Sequence, residues 1–177
     1  PPKLSDADQQ KLDSGILAWS VNRFNDAKSI FLQLYNRNVK SPTIYEALYQ
    51  LTKPADKNAA YSYLKEGRAL FPEDTSLLFA EINYLLAEGE LEKIIELLQK
   101  AIKKEPDNIT LYSTLGSVYD NLYQQADRAQ NAQLAQTYWL KAKEYYETAL
   151  QKDPRNFNAL YSMGALYYNL AAAKTLE

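Results

Sequence analysis

Two stretches of the chain distribute apolar and polar positions in the same way. Residues 101–121 read AIKKEPDNITLYSTLGSVYDN, and residues 149–169 read ALQKDPRNFNALYSMGALYYN. In each, one helical run stops at a proline and a second begins, with a glycine inside it. Proline lacks an amide hydrogen and disfavours helix in the residue before it, so Pro106 and Pro154 are expected to end one helix and turn the chain into the next. Pro72 lies 34 residues before Pro106 and supplies the period of a repeat.

With the proline at position 32 of a 34-residue frame, Ser41, Thr75 and Ile109 become the first residues of successive units. Position 20, where two helices are expected to cross closely, holds Ala27, Ala60 and Ile94. Position 27 holds Gly67 and Ala101, and position 8 holds Gly15, Gly116 and Gly164. A glycine inside a helix costs about 1 kcal/mol relative to alanine, so its recurrence at one frame position calls for close backbone approach. The units are read as 8–40, 41–74, 75–108, 109–156 and a partial 157–177, within a single domain spanning 1–177.

Pro106 and Pro154 are 48 residues apart, so the fourth unit carries 14 extra residues, placed between Tyr119 and Ala142. That stretch has no proline or glycine and is rich in alanine, leucine and glutamine. Leu115, Leu122 and Ala129 recur every seven residues, and Leu134, Tyr138, Ala142, Tyr145 and Ala149 follow at steps of three and four. The pattern predicts a lengthened helical hairpin, two turns longer per helix or roughly 10 Å, with its tip near Arg128–Asn131. Elsewhere Ser5 with Asp8 reads as a helix N-cap pair, Ser41-Pro42 opens the second unit, Asn108 caps the fourth, and Pro54 and Gly89 mark turns.

The fourth unit, with Tyr112, Leu115-Gly116, Tyr119, Ala142, Tyr146, Ala149 and Pro154, resembles the tetratricopeptide repeat (TPR) family. The second and third units replace the glycine with Leu48 and Ile82, and the first has Val39 where proline is expected. The resemblance covers about residues 8–174 and implies an all-α, right-handed superhelix of antiparallel helix pairs acting as a non-enzymatic protein-interaction scaffold. It further implies a concave groove lined by the first helix of each pair. Carried over, that gives Leu12, Ile16 and Trp19, then Tyr45 and Tyr49, then Phe79 and Asn83. Ser113, Ser117, Asp120 and Asn121 follow from the fourth unit, and Tyr161, Tyr168 and Asn169 from the fifth. Rigid aromatics beside amides suit an extended peptide, burying area at small entropic cost while pairing with its backbone. The family's clamp for a C-terminal carboxylate requires a lysine at position 5. Here that position holds Leu12, Tyr45, Phe79, Ser113 and Tyr161, none of them basic, and Asn83 alone matches at position 9.

Composition narrows the chemistry. The 177 residues carry 20 basic and 22 acidic side chains, a net charge of -2, which gives no electrostatic footprint for nucleic acid or an anionic membrane. No apolar run reaches the roughly 18 residues that span a bilayer, so membrane insertion is not expected. Without cysteine or histidine there are no thiol nucleophiles, imidazole bases or disulfides, and few routes to a zinc site. No catalytic, cofactor or metal residue is therefore assigned. Asp6 opens a stretch like a calcium loop, but Lys11 stands where glycine is required, and Glu144 and Glu147 lie among lysines on a helix face.

The expected partner is a protein or peptide, with nucleic acid excluded. Two alternatives stay open: a carbohydrate or small-ligand module stacking on Trp19, Tyr45 and Tyr49, and a structural spacer. The spacer would assemble through the apolar edge of the fifth unit, whose second helix is lacking, with self-association through that edge. The opening PPKLSDAD does not read as a signal peptide, the compartment stays open, and Leu176-Glu177 reads as a cloning remnant.

Overall fold

A computed structural model describes residues 3–175; Leu176 and Glu177 lie outside the described residues. Among the described residues nine α-helices follow one another: α1 (Asp6–Ser20), α2 (Phe24–Asn36), α3 (Pro42–Thr52), α4 (Lys57–Leu70), α5 (Thr75–Ala87), α6 (Leu91–Lys104), α7 (Ile109–Arg128), α8 (Ala132–Lys152) and α9 (Phe157–Thr175). No strand occurs among the described residues. The fold is an all-α solenoid of packed helix pairs, TPR-like in architecture.

Side-chain oxygens start several of these helices by accepting from otherwise orphaned amides. Ser5 Oγ accepts from Asp8 N at 3.2 Å and Asp56 Oδ1 from Ala59 N at 3.0 Å. Asp74, Asn131 and Asn156 do the same for Leu77, Leu134 and Ala159. Ser41 makes no side-chain cap, and α3 starts instead on Pro42, whose missing N–H is no loss in a first turn. Asn108 does not cap either: its amide donates to Glu105 Oε2 at 2.8 Å.

The stops differ in kind. Pro72, Pro106 and Pro154 each stand two residues beyond the end of α4, α6 and α8. The turns after α1, α2, α5 and α7 use a left-handed residue, Asn22, Asn38, Gly89 and Gln130, with φ of 63°, 62°, 73° and 58°. Asn38 therefore does at the α2–α3 junction what proline does at later ones.

The chain divides into two compact units, one reaching to Tyr84 and the other starting at Leu85. In the first, α1 packs on α2, α2 on α3 and α3 on α4. One core joins Leu12, Ala27, Phe31, Leu34, Ile44 and Leu48. A second joins Tyr45 and Tyr49 of α3, Ala60 and Leu64 of α4, and Leu77 and Ala80 of α5. In the second unit α6 packs on α7, α7 on α8, and α9 on both α7 and α8. Its core runs along the two longest helices, α7 of 20 and α8 of 21 residues, through Tyr123, Ala126, Ala135, Trp139, Ala142 and Tyr146 to Leu166 of α9.

Candidate partner-binding faces

In the first unit, α3 and α5 form the walls of an open cleft of about 300 Å³. From α3 come Glu46 and Gln50; from α5 come Thr75, Ser76, Phe79, Ala80 and Asn83. Both walls rest on α4. Gly67 of α4 receives the Tyr45 side chain so closely that an added Cβ would stand 2.6 Å from Tyr45 Cβ. On the other side, the Arg68 guanidinium donates to Glu81 of α5 at 2.7 Å, with both side chains largely buried. Tyr61 of α4 stacks on Tyr84 of α5 at a centroid distance of 4.0 Å. The cleft is thus fixed from beneath before any partner arrives, which lowers the ordering cost of binding.

Two predicted groove residues, Phe79 and Asn83, lie in this cleft, the ring half-buried and the amide exposed. Tyr45 and Tyr49 do not. Both rings are buried in the core, at 0% and 1% exposure. The Tyr45 hydroxyl accepts from Lys40 Nζ at 2.9 Å and donates to Glu66 at 3.3 Å, while the Tyr49 hydroxyl is enclosed without a hydrogen-bond partner. Neither ring is available as a peptide contact or as a stacking platform for a sugar. Glu46 and Gln50, each one residue further along α3, occupy the open face, because one residue turns a side chain by about 100° around a helix. The signal lay in the sequence: Ile44, Tyr45, Leu48 and Tyr49 form the apolar side of α3, and Glu46 and Gln50 the polar one.

Leu12 is also core, at 5% exposure, and so is no groove contact. Ile16 is exposed, and Trp19 is half-buried with its ring edge-on to Phe31 at 6.1 Å. A larger hollow of about 570 Å³, lined by Lys40, Pro42, Leu70, Phe71 and Pro72 among others, opens near the start of α3 and the end of α4.

In the second unit, α7 presents Ser117 and Asn121 as exposed and Ser113 and Asp120 as half-buried. Asp120 Oδ1 accepts from Gln124 Nε2 at 3.1 Å, and burial pushes its carboxyl above the ordinary aspartate range. Tyr146 of α8 packs against Gly116 of α7, its hydroxyl near Ser117 and Ser162. Burial, and then the Asp120 charge, push that hydroxyl up to about 12.

On α9, Tyr161 and Tyr168 stand out at 71% and 73% exposure, and Asn169 is half-buried. They form an open face with Phe157 and Leu160. Gly164 was expected to admit a closely packed helix, but nothing lies within 4 Å of the Cβ position there. Its counterpart Gly116 is covered by Tyr146 from the following helix, and no helix follows α9 among the described residues.

Among the described residues no three histidine, cysteine, aspartate or glutamate side chains converge on a metal position, and no helix is long and apolar enough to cross a membrane.

The helix-pair architecture places the chain among TPR-like solenoids. Human IFIT1, solved as a dimer with m7Gppp-AAAA, superposes with a TM-score of 0.70 at 19% identity, over 94% of this chain and 40% of its own. This chain therefore spans about two-fifths of that protein. MamA from Desulfovibrio magneticus RS-1 gives a TM-score of 0.70 at 14% identity, over 98% of this chain and 90% of its own. MamA of strain AMB-1 gives 0.62 at 16% identity, over 96% and 85%. At these identities the likeness is one of fold.

The family is more specific. Residues 78–176 match the model of the Regulator of microtubule dynamics protein 1-3 family, and the chain belongs to that family. No curated protein matches the sequence. One expectation is corrected here: a protein of this fold is solved with an oligonucleotide, so nucleic acid is not excluded. A net charge of -2 is a sum over the whole surface and does not rule out a local site.

Proposed function

We propose that the chain is a non-enzymatic scaffold that holds a segment of a protein partner against the first helices of its pairs, above all in the α3–α5 cleft. The observation that carries this reading is the cleft itself. A half-buried aromatic, Phe79, shares the cleft with exposed amides, Gln50 and Asn83, on walls braced by a common helix. An aromatic anchor with amides beside it suits an extended backbone, which needs one pocket and several donors and acceptors. Ser117, Asp120 and Asn121 of α7 offer a second polar stretch of the same kind in their own unit. The family name connects its members with microtubule dynamics, and we place the scaffold's action in that setting.

In this reading 1–177 is one TPR-like domain whose fourth repeat carries the 14-residue insertion, accommodated in the lengthened α7–α8 hairpin.

The test is a selection of displayed 12-residue peptides on the folded chain, followed by calorimetric titration of the winners. Phe79→Ala should weaken them about tenfold, the scale of losing one aromatic anchor, with the helical circular dichroism unchanged. Selected peptides that bind Phe79→Ala as well as the parent chain would overturn the assignment of the site.

A further inference from the structure

The α3–α5 cleft holds a carboxylate with no cation. Glu46 is half-buried on the α3 wall, and no hydrogen bond or ion pair reaches it from any described residue. Other carboxylates of the same unit are matched: Glu66 by Lys40 and the Tyr35 hydroxyl, Glu81 by Arg68, and Asp8 by Arg37. The residues lining the cleft include no lysine or arginine. Burial, and then the nearby charge of Asp74, push the Glu46 carboxyl above the ordinary glutamate range. A half-desolvated anion beside a second acid is a poor arrangement for the empty molecule and a good one for receiving a positive charge.

The remaining lining narrows the cation. Phe79 offers a ring face or edge near the carboxylate, and Gln50 and Asn83 add amide oxygens. At about 300 Å³ the cleft has room for one long side chain, at the low end of ligand pockets. A planar fork of donors that also stacks on an aromatic ring matches these features better than a compact ammonium. We propose that the α3–α5 cleft receives an arginine side chain of a protein partner, its guanidinium paired with Glu46 and set against Phe79. This rests on the scaffold reading above and names the partner's chemistry at that site.

The experiment uses pools of 12-residue peptides, each with one position fixed as arginine, lysine, alanine or glutamate, bound to the full chain at low salt. Arginine pools should be retained about tenfold over alanine pools, the usual scale of a charged hydrogen-bonded pair. Glu46→Gln should abolish that preference, and Glu46→Arg should reverse it in favour of glutamate pools. A reversal cannot arise from misfolding. Lysine pools that match arginine pools would overturn the guanidinium assignment, as would a preference that survives in Glu46→Gln. If pools bind, and lose binding in Phe79→Ala, yet show no preference by charge, this inference fails while the scaffold reading stands. If no pool binds the parent chain, both fail.

Discussion

The distance of approach between helices is set here by single hydrogen atoms. A Cβ added at Gly116 would stand 2.6 Å from the Tyr146 ring, a separation at which the ring must move, whereas at Gly164 it would meet nothing within 4 Å. Gly116→Ala should therefore destabilise, overpacking losses of about 1–3 kcal/mol exceeding the gain in helix propensity. Gly164→Ala should stabilise by about 1 kcal/mol, the propensity gain alone. Urea denaturation midpoints check both, and a destabilised Gly164→Ala would mean that the α9 face is already covered.

The glycines were legible as a recurring frame position, because a helix-interior glycine needs a reason. What covers each of them was not legible, since the covering residue comes from another helix. Tyr45 and Tyr49 show the same limit: their type suits both a groove and a core, and only the packing of α3 on α4 decides between them.

At the scale of elements, starts and stops were readable because proline, asparagine and the capping residues act locally, and the 3.6-residue period showed which stretches were helical. The rotation of α3 about its axis is a tertiary property, and a frame carried over from other units missed it by one residue. α8 holds a further consequence of packing. Tyr146 joins α7, α8 and α9 with its ring at 2% exposure and its hydroxyl pushed up to about 12. In the first unit the Tyr35 hydroxyl is pushed up to about 12, first by its hydrogen bond to Glu66 and then by burial.

Unfolded tyrosines ionise near pH 10. Between about pH 10 and 12 the folded chain therefore keeps protons that the unfolded chain releases, and stability falls as pH rises through that window. The stability these hydroxyls contribute is fully present below pH 10. Denaturation followed at pH 8, 10 and 11 should show the loss only above 10, and Tyr146→Phe should make it shallower. An equal slope in the variant would remove Tyr146 from this account.

At the scale of the whole molecule, the solenoid class was legible through the repeat period and the TPR resemblance built on it, while the limits on partners did not follow from net charge. Charge counted over 177 residues says little about a cleft lined by seven. Glu46 went unnoticed in the sequence because an isolated glutamate on a helix is ordinary until its neighbours prove to contain no cation. The central claim is that the first helices of the pairs hold a segment of a protein partner, and that α3 and α5 form its main seat. The most direct measurement is a nuclear magnetic resonance titration of the ¹⁵N-labelled chain with a peptide selected against it. Shift changes should concentrate at the amides of Glu46, Gln50, Ser76 and Asn83 and leave Tyr161 and Tyr168 of α9 unmoved. Changes confined to α9, with the cleft amides silent, would contradict the account.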